Sequence, residues 1–422
     1  MPFSARADFP AVHEVKTEKG YNPWFIEDHY LPIISIKIAF SGSGNAYDPK
    51  DKLGLANMTT ALLGEGAGNM SDFAYKKRLE EIATDISFST DEDNFYISLK
   101  TLKPNLEESL KLLNLVITQP NFKDDSVARI KKQLQISLKK SEEDPEYVAG
   151  KKFKETIFAG HPYSNPQDGT IEGIEKINRQ DLLAFVKNNF TKENAVISIV
   201  GDLKEKEIVE SLDKFITLPD KRTEHKEIPE FVFPTGGKLV SIEKSLPQTV
   251  VIFGMQGIKR SDKDFYPAYL MNHILGGGGF ESRLMDSVRE KNGLAYTVYS
   301  SLDTMKHAGL FSGYVATDSS KVKKSIELVK QEINKMGKNG ATQKELDDAR
   351  DYLIGSFPLK MTKNENLSAF LTVMQLENLG KDFIEKRNSY MKAVTLEQIK
   401  NISAKLLNTD KMIMVVVGNK VE

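Results

Sequence analysis

Two stretches of the chain, INRQDLLAFVKNNFTKENAVISIVG at Ile177–Gly201 and VTLEQIKNISAKLLNTDKMIMVVVG at Val394–Gly418, align without a gap at an offset of 217. In each, a capping residue (Asn178, Thr395) precedes an amphipathic helix, and an apolar strand then ends at a glycine. The apolar positions coincide: Leu182 with Ile399, Phe185 with Ile402, Phe190 with Leu407, Val200 with Val417.

Working outward, other elements fall at nearly the same spacing. The helical stripe Leu106, Leu110, Leu113, Ile117 answers Val322, Ile326, Val329, Ile333, and the strand from Leu31 (LPIISIKIAF) answers that from Leu246 (LPQTVVIFGM). The helix ends at Leu62–Gly64 and Ile274–Gly276 also match. Several matches in one order point to two homologous domains. Between them lies LPDKRTEHKEIPEFVFPTGG, rich in proline and charge and without periodicity, which reads as an exposed linker. The expected organisation is therefore 1–217, a linker at 218–237, and 238–422. Strands and long helices in mixed order predict an α+β fold, each domain a largely antiparallel sheet with helices packed on it.

Composition narrows the function classes. Hydrophobic residues at 40% and charged residues at 28% suit a packed globular protein, and the longest apolar runs, such as Met412–Val417, are strand-sized and too short for a membrane span. A formal net charge of −1 lacks the basic excess of a nucleic-acid binder. With no cysteine there are no disulfides, thiol nucleophiles or thiolate metal sites. The N-terminal MPFSARADFPAVHEV has no apolar signal-peptide core, which predicts either a cytosolic protein or a numbering that starts at a processed terminus.

No two of the six histidines stand at the spacing that pairs ligands on one helix face, and neither a GxSxG elbow nor a phosphate loop occurs. The run GEGAGN at Gly64–Asn69 follows a helix, so it reads as a helix end and loop. Glu142–Glu146 reads as a solvated acidic face beside a proline, and Trp24 as a core or edge packing residue.

The stretch Leu275–Ser300, LGGGGFESRLMDSVREKNGLAYTVYS, strongly resembles the C-terminal repeat of the insulinase/pitrilysin-type zinc metallopeptidases, especially the short two-domain chains related to mitochondrial processing peptidase. The REK-x-GLAY pattern, with Arg289 and Tyr296 seven residues apart, and the Gly-rich SRL segment carry the resemblance, and the two-repeat layout extends it over the whole chain. It implies one half of a clamshell that encloses a peptide chamber.

In that family the first repeat of a catalytic chain carries H-x-x-E-H after a D-P-x-x-K-x-G-L-A lead-in. The lead-in is present here as Asp48–Ala56, but Asn57 and Ala61 stand at the histidine positions and Thr60 at the glutamate. The third ligand position, aligned on Glu142–Pro145, falls near Ile136 or Ser137, neither of which is a ligand. A catalytic zinc needs three protein ligands and an open position, and its bound water needs a base. The resemblance therefore implies that this chain holds no metal and hydrolyses no peptide alone.

Arg289 and Tyr296 are both intact. The resemblance implies that the tyrosine hydroxyl donates to the scissile carbonyl as it becomes an oxyanion, while the arginine positions substrate backbone. Read from spacing alone, they are an arginine near a helix end and a tyrosine packed in a strand. Gly276, Gly277, Gly278 and Gly279 resemble the family's substrate-binding glycine loop; alone they read as a flexible helix terminus. Arg283 fits a fold-stabilising role equally well. The expected function is the non-catalytic, substrate-binding subunit of a heterodimer whose partner brings H-x-x-E-H and zinc. Unfolded peptides are the substrates, bound in part along a sheet edge, and the location expected for a bacterial pair of this type is the periplasm. The alternatives are a structural subunit, like the family's core subunits in respiratory complexes, and a metal-independent peptide-binding homodimer.

Overall fold

The computed structural model describes residues 10–419; the first nine residues of the N-terminal stretch read above lie outside it. The chain forms two compact units, and neither is a continuous half of the sequence. The first takes residues up to Leu138, Asn165–Glu227 and Phe357–Glu385; the second takes Lys139–Ser164, Ile228–Ser356 and the C-terminal part from Lys386. Each half of the sequence thus lends helices to the other half's unit, which the linear boundaries at 217 and 238 do not anticipate.

The first unit contains β1 (His13–Glu14), β2 (Trp24–Glu27), β3 (Ile33–Ser41), the small hairpin β4 (Gly66–Ala67) and β5 (Met70–Ser71), β6 (Asp85–Thr90), β7 (Asn94–Leu102) and β8 (Ala195–Gly201). Its sheet runs β1-β2-β8-β3-β7-β6, antiparallel except for β2 beside β8. The second unit contains β9 (Lys238–Glu243), β10 (Gln248–Gln256), β11 (Ala295–Thr304), β12 (Gly309–Asp318) and β13 (Ile413–Gly418), in the order β11-β12-β10-β13-β9, with only β13 and β9 parallel. Placing β8 on β13, β3 on β10, β7 on β12 and β6 on β11 reproduces one order in both units, so the duplication read from sequence is a duplication of topology. The capping residues act as expected: Asn178 and Thr395 each close a capping box on helices Arg179–Asn189 and Leu396–Leu406.

Alternation of side chains along the strands puts Ile34, Ile36, Ile38 and Phe40 of β3 in the first core, where Phe40 stacks on Phe190 at 4.5 Å between ring centroids. Helix Asn364–Leu376 lies on β3 and β8 through a polar seam: Ser35 meets the Ser368 hydroxyl at 2.9 Å, and Thr372 donates to the Ser198 hydroxyl at 2.9 Å. In the second unit, helix Pro145–Ile157, capped by Asp144, lies on β10 and β13 through buried Ala149 and Phe153. Glu142–Glu146 is more than a solvated face, since Glu146 accepts the Tyr314 hydroxyl at 2.6 Å.

The segment 218–237 has no regular structure and is largely exposed, as expected, yet it is anchored along its length. Arg222 donates to the Ser41 carbonyl and the Ser43 hydroxyl, and Lys226 donates to the Asp48 carbonyl at 2.9 Å, all within the first unit. In the second unit Ile228 is buried, His161 Nε2 lies 2.8 Å from the Pro229 carbonyl oxygen, and Phe231 packs on Phe158 and His161. Cation-to-carbonyl bonds and ring contacts satisfy this backbone where no sheet or helix does.

Candidate functional site

In the first unit the degenerate motif lies on helix Leu55–Leu63. The lead-in aspartate builds its start: Asp48 Oδ2 accepts from the Gly54 N–H at 2.8 Å and Oδ1 from the Ala56 N–H at 3.0 Å. Burial pushes the Asp48 carboxyl up to about 7, against the pull of those N–H groups and of the Lys226 ammonium. Met58, Thr59, Leu62 and Leu63 face the core, which leaves Asn57, Thr60 and Ala61 together on the less buried side. Thr60 donates its hydroxyl to the Asn57 carbonyl at 2.7 Å, inside its own helix.

These residues do not fit a zinc ion. An amide, a methyl group and a hydroxyl bonded to its own backbone offer neither imidazole nor carboxylate. Ile136 and Ser137 are exposed on helix Asp124–Ser141, and among the described residues no cluster of three or more His, Asp or Glu is arranged to hold a metal. The carboxylate that does lie beside this helix is Glu65, which sequence reading passed over as part of a loop. It is buried, ion-paired with Lys76 at 2.8 Å and with Arg129 of helix Asp124–Ser141. An acidic residue at the end of a motif helix, with an arginine on the later helix, was the available signal.

In the second unit the corresponding segment is wound differently. Helix Phe265–Asn272 passes into a π-helical turn at His273–Gly277, and a second π-helix, Met285–Glu290, carries Arg289. Such windings insert a residue into the helical ladder and recur at functional sites. Gly276 is buried; a Cβ there would stand 2.4 Å from Ser300 Oγ and 2.6 Å from the Ser300 backbone nitrogen, so the absent side chain is what lets the turn meet β11. Gly277 and Gly279 reach the surface, Gly278 partly so, and Gly279 takes a left-handed φ of +63°.

Arg289 and Tyr296 come together here. The register of β11 against β12 slips between Ala295 and Thr297, so Tyr296 is the extra residue of a β-bulge on an edge strand. Arg289 Nη1 donates to the Tyr296 carbonyl at 3.0 Å, and the guanidinium lies 4.9 Å from the Phe280 ring centroid. The Tyr296 side chain is 71% exposed, and its hydroxyl has no hydrogen-bond partner among the described residues. The reading of a tyrosine packed in its strand does not describe it. Phe280 is 64% exposed and Tyr352, stacked on His273, 58%. Aromatic groups therefore cluster round the glycine loop, a feature that spacing did not reveal. The geometry offers a fixed cation and a free phenol to a group that approaches from outside.

Arg283 belongs to the fold. Its Nε and Nη2 donate to the two Glu345 oxygens at 2.6 and 2.8 Å, and Nη2 also reaches the Gly340 carbonyl at 3.0 Å. Burial alone would raise the Glu345 carboxyl; the bonds from Arg283 and Thr342 outweigh it and hold the group at about 2.

Comparison with known proteins places the chain. The family model described as insulinase (peptidase family M16) matches residues 28–170, and the one described as the peptidase M16 inactive domain matches residues 176–353. A non-peptidase homolog, YmxG, of Helicobacter pylori is 34% identical over 82% of this chain and 79% of its own. An uncharacterized zinc protease of Rickettsia bellii is 24% identical over 86% of this chain and 85% of its own. The crystal structure of a peptidase M16 inactive domain from Pseudomonas fluorescens superposes with a TM-score of 0.91 at 32% identity, covering 97% of this chain and 98% of that one. The chain is a member of the insulinase family, peptidase family M16, and its zinc-motif helix carries none of the metal-binding residues.

Proposed function

We propose that this chain is the non-catalytic, substrate-binding subunit of a heterodimeric zinc peptidase. The observation that carries the reading is the unspent Tyr296 hydroxyl, held outward on a bulge whose carbonyl is anchored by Arg289. The partner, a homologous chain with H-x-x-E-H, holds the zinc; this chain contributes the phenol and the guanidinium. Tyr296 donates to the scissile carbonyl oxygen as negative charge develops on it, and a single aimed donor of this kind is worth roughly 3–4 kcal/mol. Arg289 orients the substrate backbone, and Gly277–Gly279 let an extended peptide approach. The substrates are unfolded peptides that pair with an exposed edge such as β11 or β6. The pair works in the periplasm.

The test is co-purification of the chain with the product of a neighbouring peptidase gene, followed by assay of the complex. Tyr296→Phe should leave assembly intact and lower kcat by roughly 10²–10³ with little change in KM. Arg289→Ala should raise KM as well. Wild-type rates with Tyr296→Phe, or a partner equally active without this chain, would favour the second reading, a structural subunit. The name of the Helicobacter pylori relative is the observation on that side.

A further inference from the structure

Behind the π-helix that carries Arg289, the second unit holds a half-open polar cavity of about 470 Å³. One wall is the stretch Arg283–Lys291, the other is helix Val322–Asn339, and the turn Gly340–Thr342 closes the end. The volume falls in the range of small-ligand pockets, about 300–1,000 Å³.

Its lining is charged on both walls. Lys291 pairs with Asp286 at 2.6 Å on the π-helix side, and Lys335 pairs with Glu332 at 2.7 Å on the facing helix. The Glu332 side chain is only 11% exposed, so its charge is poorly screened, whereas both lysines reach the rim. The Lys291 ammonium is held above its ordinary range by the Asp286 carboxylate and, more weakly, by Glu332 of the opposite wall. The fields of the two walls therefore overlap inside the cavity. Arg283 is spent on Glu345 and the Gly340 carbonyl, and keeps the closed end in place.

We infer that this cavity binds a small zwitterion, a free amino acid or a short peptide with both termini unblocked. An anion alone would meet Lys291 and Lys335 but also two carboxylates. A cation alone would meet Asp286 and Glu332 but also two ammonium groups. A ligand with both charges meets the lysines with its carboxylate and the acids with its ammonium, so neither of its charges is left opposed. Each resident pair has its ammonium out on the rim, where solvent screens it, so sharing the pair costs little. The cavity leaves room for side chains, and its wall is the helix that fixes Arg289. Such ligands are what peptide hydrolysis releases, but the site stands on its own geometry, whatever the function of Tyr296.

The experiment is calorimetric titration of the purified full chain with glycylglycine at low ionic strength. Saturable binding with Kd on the order of 1 mM is expected. Glycine and triglycine should bind as well, which separates amino-acid from peptide sources by their relative affinities. N-acetylglycinamide, which has the backbone without the charges, should not bind. Lys335→Ala should weaken glycylglycine about tenfold and Lys335→Arg should restore it. Asp286→Asn repeats the test if Lys335→Ala melts early. Amide exchange in Ser287–Gly293 should slow on saturation. The inference is overturned if no saturable binding occurs, if N-acetylglycinamide or inorganic phosphate binds as well as glycylglycine, or if neither substitution changes the affinity.

Discussion

The motif helix Leu55–Leu63 and the segment Phe265–Gly277 occupy equivalent places in the two repeats, and they have diverged in opposite directions. The first is regular, short-chained on its open side and internally satisfied. The second unwinds into a π-turn, packs glycine against a strand and, a few residues on, presents Arg289 and Tyr296 with the phenol unspent. One repeat has no metal-binding residue on a regular helix. The other sets an exposed phenol and a guanidinium on irregular backbone. Duplication supplies two copies of a scaffold, and chemistry on one does not require chemistry on the other.

The largest effect expected is a gain of function on the silent helix. Asn57→His with Ala61→His places two imidazoles one turn apart on its open side and should create zinc binding with Kd on the order of 10 µM, where the wild type should bind none. Equilibrium dialysis with elemental analysis decides it. Stoichiometric zinc in the wild-type protein would undo the assignment of Asn57, Thr60 and Ala61.

Next come the helix ends. Gly276→Val drives a side chain into the Ser300 backbone and should cost about 3 kcal/mol, whereas Gly64→Ala, with open space at its Cβ, should be neutral or stabilise by about 0.5 kcal/mol. Equal losses in chemical denaturation would mean that the two ends are not differently packed.

A smaller effect separates the charges that secure each repeat. Arg283→Ala should cost about 2 kcal/mol, less than a fully buried pair because Glu345 retains solvent. Glu345 titrates at about 2 in the folded chain, below the ordinary 4.5, so its contribution is complete above 4.5 and is lost as pH falls towards 2. Glu345→Gln should flatten that part of the stability–pH curve. An unchanged acid limb would show that the pair does not hold the carboxylate ionised.

The smallest effect is the most informative. Tyr296→Phe should change the unfolding free energy by no more than about 0.5 kcal/mol, because the hydroxyl bonds to nothing among the described residues. A loss above 1 kcal/mol, read from denaturation midpoints, would make it a structural residue and remove the contrast between the repeats.

Much of this was legible in the sequence. Strands, caps and the repeat follow from local periodicity, which is why β3 and β10 fall where the alternating runs from Leu31 and Leu246 put them. The missing ligands were legible as residue identities. What was not legible depends on contacts between distant residues. An amphipathic stripe says that a helix buries one face but not against which sheet, so the exchange of 139–164 and 357–385 was invisible. The π-winding and the Tyr296 bulge are set by packing, since the sequence alone fits an ordinary helix and strand. Arg283 stood between two roles until Glu345, far along the chain, was seen to close on it.

The exchanged helices also fix an order of events during synthesis. The first unit includes Phe357–Glu385, so its sheet, made by Gly201, has to wait for more than a hundred further residues before Ser368 and Thr372 can cover Ser35 and Ser198. At roughly 5–20 residues per second this interval is several seconds or longer, during which a half-covered sheet stands exposed at the ribosome. The other unit receives Lys139–Ser164 early and waits for the segment from Lys386, with helix Leu396–Leu406 and its last strand, β13. Both units therefore close within a few dozen residues of each other. A nascent chain cut short before residue 357 has its first sheet formed but not covered by helix Asn364–Leu376, and its second sheet without β13.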